Sequence, residues 1–308
     1  MLSPLTSVAR LAGLALTLLL LLGGCAGQGH KSGEAAYDPL LGDQSPRPAS
    51  AAADAEGAAA AQARGDAALA QGDRDLALVE YLRALRAGGE KAEVLNRIGA
   101  LLASQGNGEL AAVAYRRALT ADPQHAGAHA GLGLLLTRQR QYAEAADHLR
   151  QALRYDPRIP GTHNALGILA DLDGDYAAAR KHFQDGLDLA PHSATLRNNL
   201  GYSHYLAGNN KAAIAAFRAA LAENPGYTLA WRNLGLVYSR QGRYDEALAA
   251  FAKVQGLPQA YNDVGYVAMV TGRLDEAQSL FDEAQRLSPE YYPTAHENAK
   301  RVQTLKGN

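Results

Sequence analysis

The sequence predicts an all-α chain, an α-solenoid of about seven helix-turn-helix units with a capping helix at its carboxyl end. Three observations carry this. Glycine recurs at Gly65, Gly99, Gly133, Gly167, Gly201, Gly235 and Gly265, with spacings of 34 residues five times and 30 once. Each is followed at a fixed distance by a small residue, Ala77, Ala111, Ala145, Ala179, Ala213, Ala247 and Ala277, and then by a bulky one, Tyr81, Tyr115, Leu149, Phe183, Phe217, Phe251 and Phe281. A unit this short cannot bury its own apolar face, so the units must stack on one another.

With the glycine at the eighth position, the units run 58–91, 92–125, 126–159, 160–193, 194–227, 228–257 and 258–291. Small residues at positions eight and twenty let the two helices of a unit approach, and a side chain there would wedge them apart. The bulky residue at position twenty-four fills the space between neighbours, worth roughly 1.5–3 kcal/mol each on burial. Gly72, Gly106, Gly174, Gly208, Gly242 and Gly272 supply permissive backbone between the helices of a unit. Pro123, Pro157, Pro191, Pro225 and Pro289 end the second helix, because the residue before proline is pushed out of helical geometry. Slot by slot, this pattern resembles the tetratricopeptide repeat (TPR) family over about three quarters of the chain.

The departures carry information. Ala61, Arg64 and Ala68 stand where other first helices hold larger apolar groups, so the first unit reads as a degenerate cap. Arg140 replaces the turn glycine of the third unit and predicts a looser turn. The sixth unit loses four residues after Val254, which predicts a tighter passage through Gln255–Pro258 and a local change of superhelical angle. At the end, Ala295, Ala299, Val302 and Leu305 form one apolar stripe, so 292–308 reads as a solvating cap helix.

The amino-terminal region reads differently. Arg10, an apolar run from Leu11 to Leu22, and Gly23-Gly24 before Cys25 make an export signal over 1–24, short of the ~20 residues that span a bilayer. Leu22-Gly23-Gly24-Cys25 resembles the bacterial lipobox, which implies lipidation of Cys25, the chain's single cysteine, and a stable membrane anchor. Ala26 rather than aspartate follows, so in a Gram-negative source the resemblance implies the outer membrane and a periplasmic array. An ordinary secretory signal with a cysteine at its cleavage site is the alternative. Residues 25–57 are rich in Ala, Gly, Ser and Pro without apolar period and read as a flexible tether.

Composition narrows the partners. Lys plus Arg total 30 against 31 Asp plus Glu, so no global positive field recommends nucleic acid. A single cysteine excludes an intrachain disulfide framework. His125 and His129 straddle a turn and do not share a helical face as a zinc pair would. No phosphate loop or nucleophile elbow is present. The sequence therefore predicts no enzyme, no cofactor, no metal and no small-molecule substrate.

In the TPR family the concave groove is lined by first-helix positions two, five, six, nine, twelve and thirteen. Carried onto this chain, they give Asn96, Asn164, Asn198, Asn199, Arg232, Asn233 and Asn262 as a polar row, and Tyr202, Leu236 and Tyr266, with Tyr205 one turn on, as an apolar floor. Amides offer donor and acceptor together, which suits an extended peptide. The alternative is that the asparagines cap or solvate helix starts and the rings are core. Lipobox, tether and repeats, with Arg-Asn-Asn-Leu-Gly-Tyr-Ser-His-Tyr-Leu-Ala-Gly at 197–208, resemble the TPR lipoproteins of Tad/Flp pilus assembly (the TadD family). That resemblance implies a protein partner among secretin or pilus-assembly components. A lipoprotein scaffold for polysaccharide export or cell-wall synthesis is the alternative.

Overall fold

The computed structural model describes Leu40 and residues 51–88 and 91–307, with backbone only over 51–56. The export signal, Cys25 and nearly all of the tether lie outside the described residues. Among the described residues no helix is long and apolar enough to cross a membrane.

Fifteen helices make up the described chain. They are α1 (Ala51–Ala70), α2 (Arg74–Arg86), α3 (Ala92–Ser104), α4 (Gly108–Ala121), α5 (Ala126–Arg138), α6 (Tyr142–Tyr155), α7 (Pro160–Leu172), α8 (Tyr176–Leu189), α9 (Ala194–Leu206), α10 (Asn210–Glu223), α11 (Thr228–Arg240), α12 (Tyr244–Phe251), α13 (Leu257–Val270), α14 (Leu274–Leu287) and α15 (Pro293–Gly307). The chain divides into two compact units, Met1–Pro157 and Arg158–Asn308. The first contains the hairpins α1/α2, α3/α4 and α5/α6. The second contains α7/α8, α9/α10, α11/α12 and α13/α14, with α15 packed on α14 and α13. Within each unit the second helix of one hairpin packs on the first helix of the next, which is how a solenoid buries faces that a single hairpin leaves open.

One turn geometry serves all seven hairpins. The N–H of Asp73, Asn107, Gln141, Asp175, Asn209, Arg243 and Arg273 reaches back to the carbonyl of Ala68, Leu102, Leu136, Ala170, His204, Tyr238 and Ala268, at 2.8–3.0 Å. The residue before each donor has positive φ: glycine in six turns and Arg140, at 62°, in the third. The looser turn expected there is corrected. Arg140 takes the left-handed conformation itself, because the bond from Gln141 to Leu136 and the packing around it outweigh a penalty of about 1–2 kcal/mol.

The eighth-position glycine also turns out to serve a different neighbour. A Cβ on Gly167 would lie 2.5 Å from Phe183 Cε1, and on Gly201 2.8 Å from Phe217 Cδ1. The same holds for Gly65 against Tyr81, Gly99 against Tyr115, Gly235 against Phe251 and Gly265 against Phe281. The glycine therefore clears the position-twenty-four ring rather than the alanine, whose carbonyl comes next at 3.2 Å in Ala145 and Ala213. Those rings are almost wholly buried and form the core that repeats along each unit.

Helix ends follow the prolines. The caps Asp122, Asp156, Asn224 and Ser288 are extended, each one residue before proline. Without its proline and four residues, α12 is eight residues long where α10 and α14 have 14. Two terminal readings change. Helix α1 starts at Ala51, inside the stretch read as tether, because its alanine-rich sequence is the best helix former available. Leu40 is buried and its carbonyl accepts a 2.7 Å hydrogen bond from Arg117 Nη1, so that point of the tether is held. In α15, Ala295, Ala299 and Val302 are buried, whereas Leu305 is 47% exposed and drops out of the stripe.

Candidate functional site

The predicted polar row and floor separate by depth. Asn198, Asn233 and Asn262 are buried, and Asn96, Asn164 and Asn199 are half-buried. In the second unit the amides bond to one another. Asn199 Nδ2 donates to Asn164 Oδ1 at 2.8 Å, Asn198 Nδ2 to Asn199 Oδ1 at 3.2 Å, and Asn233 Nδ2 to Asn198 Oδ1 at 2.9 Å. This ladder ties α7, α9 and α11 together, and Asn298 Nδ2 extends the habit by donating to Asn262 Oδ1 at 3.0 Å. Each net bond contributes about 1 kcal/mol, and deleting one partner strands the other. The row is first of all an interhelix tie, with Arg232 exposed beside it.

The position-nine residues face outward instead. Leu134 and Tyr266 are exposed, at 38% and 43%, and Ile168, Tyr202 and Leu236 are half-buried. In the second unit the densest chemistry gathers where α7, α9 and α11 end. The Tyr202 and Tyr205 rings lie 5.9 Å apart, and the Arg240 guanidinium sits 5.3 Å from the centroid of Tyr205. Such a cation–π contact contributes about 0.5–1 kcal/mol. Burial raises the Tyr202 phenol, with the Asp171 carboxylate adding and Arg240 opposing. Burial pushes the Tyr205 phenol up to about 12 against the pull of Arg240. Both rings are therefore neutral hydrogen-bonding groups over the whole physiological range.

Asp171 closes the cluster. Burial pushes its carboxyl up to about 6, opposed by the Ser203 hydroxyl and the Arg180 guanidinium. Its Oδ1, Arg180 Nη1 and Arg240 Nε are buried and have no hydrogen-bond partner within the described residues. A carboxylate oxygen and two guanidinium nitrogens left buried without partners, close to the paired rings in the case of Arg240, mark a place where polar groups are under-satisfied. Sequence reasoning named Tyr202 and Tyr205, considered Arg240 only for a basic clamp whose pattern the arginines do not follow, and passed over Asp171. The signal was available, since Asp171 and Arg240 occupy positions twelve and thirteen of their units, both in the groove-lining set.

The site is held in place from behind. Arg273 donates to the carbonyls of Ser239 and Arg240, at 3.3 and 3.0 Å, which fixes the last turn of α11. Inter-repeat turns are sealed by position four: Arg197 Nη2 and Trp231 Nε1 donate to the carbonyls of Pro191 and Pro225 at 2.6 and 2.8 Å. In the first unit His129 Nε2 meets the carbonyl of Pro123 at 3.1 Å in the same way. Two depressions of the second unit lie on its second-helix side. One, of about 300 Å³, is lined by residues such as Leu187, Arg197 and Leu200, and the other, of about 380 Å³, by Trp231, Tyr238 and Lys253 among others.

The tetratricopeptide repeat model matches residues 62–126, 130–194, 164–228 and 198–262, and a second model with the same description matches 258–291. The chain belongs to the tetratricopeptide repeat family. No curated protein matches it significantly. Among solved structures it is similar to a tetratricopeptide repeat protein from Parabacteroides merdae, with 17% identity, 80% of this chain and 99% of the other covered, and a TM-score of 0.55. It is also similar to pilF of Pseudomonas aeruginosa, with 23% identity, 70% and 97% covered, and a TM-score of 0.53. At these identities the likeness is one of fold. The TPR fold is a protein-interaction scaffold.

Proposed function

We propose that this TPR protein is a non-enzymatic adaptor that holds a partner polypeptide against Tyr202 and Tyr205 while a lipid on Cys25 keeps it at the outer membrane, on the periplasmic side. The observation that carries the reading is the cluster itself: two adjacent rings, a carboxylate oxygen without a partner and a guanidinium on one of the rings. Rings supply contact area at low entropic cost, and a shift of the Asp171 or Arg240 side chain toward a partner would let it complete atoms that are now buried and unpaired. An extended peptide satisfies both demands. The lipobox-like segment and the 197–208 sequence support placement in assembly of a Tad/Flp-type pilus or secretion machine.

The test is affinity purification from detergent-solubilised envelopes of the native cell, comparing the wild type with a Tyr202→Ala/Tyr205→Ala double variant. Recovery of a secretin or pilus-assembly component by the wild type alone supports the reading. A polysaccharide-export or wall-synthesis component lost in the same variant keeps the groove and changes the machine. Partners recovered equally by both proteins refute the groove. For the anchor, a Cys25→Ser protein that still fractionates with the outer membrane refutes lipidation.

A further inference from the structure

The third and fourth repeats share a pattern that the adaptor role does not use. Each places one histidine at position four and another at position twenty-three, His129 with His148 and His163 with His182, every partner displaced by 34 residues. In the fourth repeat Asp185 lies three residues beyond His182, on the same face of α8, so all three groups meet across the α7/α8 hairpin. One ligand atom from each lies within 4.8 Å of the others, and among the described residues this is a group of metal-ligand type. His163 Nδ1 and Asp185 Oδ2 are 4.0 Å apart, and the two rings have centroids 5.9 Å apart. Gly186 makes room behind them, since a Cβ there would meet Leu196 Cδ2 at 3.0 Å and His163 Cβ at 3.4 Å.

We propose that His163, His182 and Asp185 bind a divalent first-row transition metal, zinc being the probe of choice. Two imidazoles and a carboxylate are a recurrent three-ligand set for such ions, with a fourth position left to water. Metal–ligand distances of ~2.0–2.2 Å put ligand atoms about 3.3 Å from one another, so closure asks for roughly 1 Å of side-chain movement. Lys181 Nζ, now 2.8 Å from Asp185 Oδ2, yields to the ion, and its 75% exposure lets water take over its solvation. His163 is 8% exposed and sits on the hairpin interior, which pre-orients one ligand.

The third repeat is a built-in control. Its third slot is Gln151, a neutral amide, and its histidines close on each other, Nδ1 to Nδ1 at 2.9 Å. Titration calorimetry of Zn²⁺ into the full-length chain, repeated with His182→Gln, Asp185→Asn and His148→Gln, tests the assignment. Thermal melts without metal establish that each variant is folded. The expected result is one site weakened at least ~100-fold by His182→Gln and by Asp185→Asn, beyond what losing a supporting hydrogen bond costs, and unchanged by His148→Gln. Absence of a saturable site in the wild type, or a site that His182→Gln and Asp185→Asn leave intact, overturns the proposal.

Discussion

The third repeat, α5 and α6, and the fourth, α7 and α8, start from the same register, and four of the slots at which they differ are instructive. In the third, His129 and His148 bond to each other, and His129 stacks on Tyr155 at 5.8 Å between ring centroids. In the fourth, the equivalent rings stand further apart with Asp185 between reach of both. The core slot holds Leu149 in one and Phe183 in the other, the turn holds Arg140 or Gly174, and position twelve holds Thr137 or Asp171. Thr137 returns its hydroxyl to the Gly133 carbonyl at 2.8 Å, whereas Asp171 keeps a buried oxygen open. The third repeat pairs its histidines and its position-twelve hydroxyl within reach of neighbouring groups, whereas the fourth sets a carboxylate near its histidines and keeps a buried carboxylate oxygen of Asp171 unpaired among the described residues.

The largest expected effect breaks this comparison at the core. Gly167→Ala drives a methyl to 2.5 Å from the ring of Phe183, which is fully buried and has nowhere to rotate. It should destabilise the protein by ~2–3 kcal/mol in denaturant unfolding despite alanine's better helix propensity. Gly133→Ala puts its methyl 2.7 Å from Cγ of Leu149, which is equally buried but smaller than a ring, and should cost about 1–2 kcal/mol. Equal losses would mean that ring and leucine are equivalent fillers.

Next in size is position twelve. Because the folded-state pKa of Asp171 is raised to about 6, the native state holds more protons than the unfolded chain between about pH 4 and pH 6. Stability from this group therefore falls as pH rises through that window. Asp171→Asn should raise stability by ~1–2 kcal/mol at pH 7, after allowance for partial solvent screening, and by little at pH 4. The same variant should weaken partner binding, which separates a functional strain from a purely structural one.

Smaller effects sharpen the comparison at the turn and the histidine pair. Arg140→Gly should stabilise by ~0.5–1 kcal/mol, and Gly174→Arg should destabilise by about 1 kcal/mol, as thermal melts would register. Burial, with His129 second, lowers the His148 pKa, so the folded state favours the neutral ring. Stability contributed by that group is present above the unfolded-state value of ~6.5 and is lost as pH falls below it. A His148→Gln protein should show a shallower acid loss than the wild type across that window. An identical slope in both would place the acid sensitivity elsewhere, His204 being the next ring with a lowered pKa.

How much of this could be read from the chain depends on how each feature is encoded. Glycine, alanine, ring and proline slots are spaced by the repeat itself, so hairpins and helix ends were legible residue by residue. The amide ladder was legible only in part. Asn164 and Asn199 sit 35 residues apart, as do Asn198 and Asn233, which signals neighbours on adjacent first helices, but not that one donates to the other. Arg140 misled because a positive φ is a backbone state that arginine can adopt under tertiary constraint. The start of α1 at Ala51 was hidden because alanine-rich sequence suits both helix and linker. The histidine pairs had a signal at 34-residue spacing, masked by looking for metal partners along one helix rather than across a hairpin.

The most direct test of the adaptor account is site-specific photo-crosslinking in the native cell, with the crosslinker at Tyr202 in α9 and, separately, at the exposed Ala215 on α10. The account predicts an envelope-protein adduct from position 202 and none from 215. An adduct from 215 alone would contradict it and move the working surface to the second-helix side, where the Trp231 depression lies.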